Sequence, residues 1–428
     1  MRSGVLWRRS ATAFWAYVAT ALGFFTTVVA THELGQGAFA KFAAVFAATT
    51  FFQVLFDLTF EEALVKYGFR YTESQRWGRL RRLFQLALGF KMLGGVIAAL
   101  ALMALAPFLG SIWKGANGVL VPMLIAAALP VVQAPEAVAG GAIILRGRYD
   151  IRAAFLAVSM GVRLPGLAVG CLYGVTGAVI GLIVAQVVAT VAICIAGTAA
   201  FRRFPSLPAE PIAEDWRGLR TFLAQSTVAS SLASGRASLA TALFPTVAPL
   251  SETGYFAIAQ APATGFAALS GPVRLVLLTE QTRDFEAGRH GRVYAMLRRY
   301  IVGTSLLMAA TVPFFWWLMP FLMGLAYGPD FRAHAATAAR LVLIAAALRL
   351  IWGWTKSFPV SIGRPGLRVI AQGIEIAVFV PLLLVFASRW GATGAAGAML
   401  VSTAVFCAVW SLLLVRLHAG RHAPAVAS

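Results

Sequence analysis

The sequence predicts an all-α integral membrane protein, with about twelve transmembrane helices in two pseudo-symmetric six-helix lobes; three observations predict it. Apolar residues make up 60% of the 428 and charged residues 12%, against roughly 45–50% and 25% in soluble domains. Apolar runs of about 20 residues recur between basic clusters and Gly/Pro turns, and their unbroken hydrophobicity excludes the alternating pattern of a barrel strand. The chain also repeats itself. Gly147, Arg148, Arg152 and Pro165 return as Gly363, Arg364, Arg368 and Pro381, displaced by 216. Gly174-x-Thr176-Gly177-Ala178 returns as Gly391-x-Thr393-Gly394-Ala395, and Gly37-Ala38-Phe39-Ala40 as Gly254-Tyr255-Phe256-Ala257, both displaced by 217. A duplication in so apolar a chain points to two membrane lobes with a cleft between them, where the sites of such transporters lie.

The spans read, in order, 11–31, 40–66, 83–112, 119–145, 153–173, 176–201, 221–246, 254–280, 300–325, 334–356, 368–388 and 393–416. Arg2, Arg8 and Arg9 ahead of the first give it the look of a signal peptide. Its run from Ala11 to Ala30 is long enough to span, however, and His32-Glu33-Leu34 offers no small-x-small cleavage site, so it reads as a retained helix. Arg70 to Arg82 separate the second and third spans, Arg146 to Arg152 the fourth and fifth, and Arg283 to Arg299 the eighth and ninth. Arg364 and Arg368 follow the tenth, and Arg416 and Arg421 the twelfth. The alternate connections hold only scattered bases such as Lys41, Lys114, Arg332 and Arg389. By the positive-inside rule both termini and the basic loops are cytoplasmic, which an even number of spans allows.

Between the sixth and seventh spans, Arg202, Arg203, Pro205, Pro208, Glu210, Pro211, Glu214, Asp215, Arg217 and Arg220 mark the longest connection. It reads as the inter-lobe linker. The expected division is a lobe at 1–203, a cytoplasmic linker at 204–220, a second lobe at 221–416 and a cytoplasmic tail at 417–428.

The net charge of +20 would suggest nucleic acid in a soluble protein, but here the arginines punctuate apolar runs, so the expected contacts are membrane lipids and not nucleic acid. Cys171, Cys194 and Cys407 sit singly in apolar stretches, which supports neither disulfides nor a metal site. No cofactor motif is present: neither a P-loop nor a G-x-G-x-x-G after a strand, and no catalytic Ser/His/Asp order. The outer loops are too short for a lipid-sugar enzyme, and the expectation is a non-enzyme.

Charges at bilayer depth carry the remaining information, because each costs several kcal/mol and normally faces the bundle interior. Arg274 ends a face of Gln260, Thr264, Ala267 and Gly271 at 3–4 spacing, suited to an aqueous cavity. Its repeat equivalent is Asp57, of opposite charge. Arg349, Trp352 and Lys356 fall at i, i+3 and i+7 on one face of the tenth span. Arg163 precedes Pro165 in the fifth span, where a salt bridge to Glu136 would satisfy both groups; Arg236 interrupts a helix lined by Ser230, Ser234, Ser238 and Thr241. Glu136 and Glu375 are the candidate proton- or sodium-coupling groups. Glu61, Glu62 and Lys66 read as an interfacial cluster. Cations outnumber carboxylates among the inward candidates, so the cavity suits an anionic substrate such as a lipid phosphate or pyrophosphate.

Several segments resemble the polysaccharide transporters, or oligosaccharide flippases, of the multidrug/oligosaccharidyl-lipid/polysaccharide exporter superfamily. They are Leu34-Gly35-Gln36-Gly37-Ala38-Phe39, Asp57 within Leu55-Phe56-Asp57-Leu58, Ala63-Leu64-Val65-Lys66-Tyr67, Thr253-Gly254-Tyr255-Phe256-Ala257 and Thr279-Glu280-Gln281. The resemblance runs from Arg9 to Arg416. It implies two six-helix lobes in a V, alternating access, and flipping of an undecaprenyl-pyrophosphate-linked glycan across a bacterial inner membrane. Arg274 and Arg349 would then hold the pyrophosphate, and a glycan polymerase or export machinery would be a partner. A drug or metabolite antiporter of the same superfamily is the principal alternative, ahead of an envelope scaffold.

Overall fold

The computed structural model describes residues 2–57, 60–115, 117–267, 281, 284, 289–362 and 366–419. Among these there is no strand, and eight helical stretches are long and apolar enough to cross a membrane. Helix α1 (Arg2–Phe56) holds the first two expected spans, divided at Gly35 where φ is 68° and ψ 170°. The second span does not continue to residue 66 as its apolar run predicts. Asp57 is non-helical, and a separate helix α2 (Phe60–Glu73) follows. The reason is amphipathy: Phe60, Ala63, Leu64, Tyr67 and Tyr71 form one buried face, with Glu61, Lys66 and Arg70 between them, so this stretch packs sideways on a core.

Helix α3 (Trp77–Ile112) carries the third span. The fourth is split into α4 (Leu120–Ala126) and α5 (Ala128–Leu145). Pro130 has no N–H to offer the Ala126 carbonyl, which accounts for the break. Helices α6 (Tyr149–Cys171) and α7 (Gly174–Phe201) then form a tight hairpin. Gly166, Gly170, Gly177 and Gly181 make two small-xxx-small pairs whose backbones touch: a Cβ added at Gly181 would lie 2.0 Å from the Gly166 carbonyl oxygen, and one at Gly177 2.4 Å from that of Gly170. The hairpin turn needs Gly174 at φ 72°.

The connection from Arg202 to Ile212 is non-helical, and α8 (Ala213–Val247) begins earlier than the predicted seventh span. Its first turn is fastened down. Asp215 accepts hydrogen bonds from Arg70 (3.0 Å) and Tyr71 (2.9 Å), and Glu214 accepts one from Arg79 (2.8 Å). The Glu210 N–H donates to the Gly78 carbonyl at 3.1 Å. Beside Asp215, burial and the hydrogen bond to that carboxylate push the Tyr71 phenol up from its usual value, while the Arg79 hydrogen bond holds the exposed Glu214 carboxyl below its usual range.

Helix α9 (Leu250–Ala259) opens the eighth span, and helical backbone continues over 261–267. The ninth span is α10 (His290–Tyr327), followed by the short α11 (Pro329–His334). The tenth span, Ala336–Lys356, falls close to its predicted bounds but changes its helix type within them. Helix α12 (Ala336–Ile351) passes into a 3₁₀ turn, Trp352–Lys356, because the Tyr300 hydroxyl donates to the Leu350 carbonyl at 2.7 Å and competes with the helical ladder there. A short α13 (Phe358–Ser361) precedes α14 (Gly366–Ala419), which holds the last two spans, broken at Trp390 and Gly391. Gly391, at φ 54°, is the repeat equivalent of Gly174, and Gly394, equivalent to Gly177, again meets a carbonyl, that of Phe386. The repeated Gly-x-Thr-Gly-Ala motif therefore makes the same kind of turn twice.

Two compact units emerge, Met1–Ala257 and Ile258–Ser428. One core cluster of the first contains Phe60, Leu64, Tyr71, Leu80, Leu83 and Leu219, drawn from α2, α3 and α8. Helix α8, counted by the repeat as the first of the second half, packs on α1 within this unit. The second unit is centred on Trp354, Phe358, Phe406 and Trp410. Cys171 and Cys407 are buried, Cys194 is half-buried, and all three are free thiols.

Candidate functional site

In the first unit the polar groups at membrane depth converge. Arg152 and Arg163 lie eleven residues apart, close to three helical turns, and so share a face of α6. Opposite them, α7 presents Gln186 and Thr190, and α5 presents Gln133 and Glu136. Glu136 accepts hydrogen bonds from Arg152 (3.4 Å) and from the Gln186 amide (3.1 Å). The Gln186 carbonyl oxygen accepts from Arg163, with Nε at 3.1 Å, and its amide also donates to Thr190 (3.0 Å). One turn away on α5, Gln133 accepts a hydrogen bond from Gln53 of α1 at 2.5 Å. The expected pairing of Arg163 with Glu136 is thus relayed through Gln186, and the direct ion-pair partner of Glu136 is Arg152.

A second pair adjoins this network. Asp57, in the break after α1, is ion-paired with Lys91 of α3, whose side chain is buried. Glu61, in the first turn of α2, interacts electrostatically with Asp57, Lys91, Glu136 and Arg152, so the two pairs belong to one constellation. Its charges nearly balance. A balanced, hydrogen-bonded arrangement is what a low-dielectric interior demands, because an unpartnered ion there is far costlier than a paired one.

Sequence reasoning did not single out Lys91, Gln186, Gln53 or Thr190. Lys91 is the one charge between Arg82 and Lys114, and Gln186 the one long polar side chain in the run 176–201. Both signals were open to inspection. Arg152 was assigned to a repeated turn and also serves the network.

In the second unit Arg349 and Glu375 meet. Glu375, at 2% exposure, is ion-paired with the Arg349 guanidinium, which also lies 4.1 Å from the centre of the Phe406 ring. The Arg349 Nε is buried with no hydrogen-bond partner among the described residues. Glu375, alone among apolar residues in sequence, has its cation on the neighbouring helix. The single face expected for Arg349, Trp352 and Lys356 is not formed. The backbone tightens to about three residues per turn after Ile351, Trp354 is buried in the core with Trp352 packed half-buried against it, and Lys356 is exposed.

Arg236 is buried on α8, where Ser231 donates to the Val54 carbonyl at 3.1 Å. Gln260 is half-buried at the end of α9, with Thr264 and Ala267 exposed beyond it. Gly271 and Arg274 lie outside the described residues. Among the described residues no group of His, Cys, Asp and Glu is placed to hold a metal.

No protein-family model matches the chain, and no curated protein does. Solved structures do. An inward-facing multidrug-resistance MATE transporter of the MOP superfamily is similar at a TM-score of 0.76 and 14% identity, over 96% of both chains. The lipid II flippase MurJ, in an inward closed conformation, is similar at 0.67 and 12% identity, over 94% of this chain and 87% of that one. A MOP-superfamily transporter from Pyrococcus furiosus with a binding pocket of reverse polarity is similar at 0.64 and 11%, over 96% and 95%. At such identities the likeness is one of fold alone, an all-α fold similar to that of these membrane transporters.

Proposed function

We propose that the protein is a flippase that moves an undecaprenyl-pyrophosphate-type, lipid-linked oligosaccharide across the bacterial cytoplasmic membrane by alternating access, serving cell-surface polysaccharide synthesis. The observation that carries this reading is the whole-length fold likeness, which takes in a lipid flippase, in a chain whose segments resemble the oligosaccharide flippases. The two lobes of the transport cycle are 1–203 and 221–416, joined by the linker 204–220, with both termini cytoplasmic. Arg274 is the first choice for the pyrophosphate, with Arg236, Lys356, Gln260 and Trp352 as further cavity groups. Arg163, Arg349 and Asp57 act from within the polar pairs.

Glu136 and Glu375 keep their role as coupling groups, now with a means of action. Each neutralises an arginine. A proton or sodium ion taken by Glu375 cancels the charge that holds Arg349, leaving the guanidinium available to an anionic headgroup. Release of the headgroup restores the pair.

Export of a drug or metabolite is the second reading, favoured by the higher TM-score to the multidrug transporter. The deciding experiment measures lipid-linked repeat units in each leaflet of cells lacking the gene. Accumulation in the inner leaflet is expected, with no rescue by Arg274→Ala at normal protein levels; unaltered units in both leaflets, with lost drug efflux, would establish the second reading.

A further inference from the structure

The helical segments Gly37-Ala38-Phe39-Ala40, just past the break of α1 at Gly35, and Gly254-Tyr255-Phe256-Ala257, in α9, are equivalent by the repeat, and within the first unit they pack on one another. A Cβ added at Gly254 would lie 3.1 Å from that of Ala40, and the Gln36 amide donates to the Tyr255 hydroxyl at 2.6 Å. The bond is not symmetrical: the repeat equivalent of Gln36 is Thr253, and that of Tyr255 is Ala38. A backbone clip reinforces the junction. In the loop after α3, the Lys114 N–H donates to the Pro245 carbonyl (2.9 Å), its carbonyl accepts from the Leu250 N–H (3.1 Å), and its Nζ donates to the Val247 carbonyl (2.9 Å). Lys114 thereby occupies carbonyls in the last turn of α8 that have no helical partner. The junction lies at the ends of α3 and α8 remote from Arg79, Arg217 and Arg220, on the face opposite the basic loops.

We infer that this junction is a latch on the extracytoplasmic face, made by the two repeated helical segments themselves, whose opening gives the site access to that side. The inference rests on the alternating-access reading. Related segments of two repeats are brought together on one face when that face is closed and part when it opens. Because the first turn of α8 is separately tied to Arg70, Tyr71 and Arg79, opening the latch moves the far end of α8 while its start stays anchored.

The test uses the full-length chain in spheroplast membranes, with its three native cysteines replaced by alanine. Ala40 is wholly buried in the junction, so the rate at which Ala40→Cys reacts with an impermeant maleimide from outside reports opening without reference to any substrate. Tyr255→Phe removes one hydrogen bond and is expected to raise that rate about fivefold. Ala40→Cys with Gly254→Cys should form a disulfide on oxidation, block glycan export at least tenfold, and recover with reductant. Gln36→Cys with Tyr255→Cys is the second pair should Gly254→Cys not fold. Equal alkylation in the two proteins, including none in either, overturns the latch, as does export by the cross-linked chain at the reduced chain's rate. Faster alkylation in a protein that exports no glycan keeps the latch and removes the flippase reading.

Discussion

Lys91 and Asp57 show what a charge at membrane depth requires. Either alone would be an ion without a partner in a medium where that costs several kcal/mol, whereas together they are tolerated. Lys91→Met is therefore expected to destabilise the protein by about 2–4 kcal/mol, and Lys91→Met with Asp57→Asn by clearly less than the sum of the two single changes. Thermal unfolding in detergent, run as a double-mutant cycle, checks this; additive effects would separate the two residues. Gln186 follows similar logic with a neutral group, its carbonyl oxygen serving Arg163 and its amide serving Glu136. The sequence showed a carboxylate and an arginine that needed partners, but not which helix supplied the amide between them.

At the scale of elements, the α6–α7 hairpin depends on backbone approaching backbone. Lipid tails are as apolar as leucine, so helix association in the membrane rests on close packing, and the four glycines permit it. Gly181→Val places two methyl groups where a Cβ already lies within 2.0 Å of the Gly166 oxygen. We expect it to abolish accumulation of folded protein, measured by gel-filtration fluorescence of a tagged chain, while Gly110→Val, at a position open to 4 Å, leaves it near normal. Element identity was legible wherever hydrophobic length decides it: α3, α6, α7 and the two parts of α14 fall close to the predicted spans. It was not legible at Asp57 or Ile351. There the apolar run continues in sequence, and a packing face or a competing tyrosine hydroxyl ends the helix.

For the whole molecule, the linker tether has a pH dependence whose sign follows from Glu214. Its carboxyl is held below its ordinary value by the Arg79 hydrogen bond, so its contribution is fully present above that value and is lost as pH falls through the lower, folded one. Hydrogen exchange over 204–215 is expected to remain protected, after correction for intrinsic rates, from pH 7 down to the ordinary carboxylate range and to lose protection as the pH falls below it. Protection that is flat across the range would show that the tether rests on Phe204, Ile212 and the Glu210 backbone bond instead.

The sequence by itself determined that this is a duplicated, helical membrane protein, because span length, continuous hydrophobicity and recurring turn motifs are local properties of the chain. It also located most of the charges that matter. Only the tertiary structure decided which charges belong together: Asp57 with Lys91, Glu136 with Arg152 and Gln186, Arg349 with Glu375. It likewise decided that two repeated helical segments, 37–40 and 254–257, pack against each other. The physical reason is that the cost of burying an ion makes a partner obligatory without saying who it is. That choice is made by the helix faces that meet, and contacts between residues tens to hundreds of positions apart leave no periodic trace in the sequence.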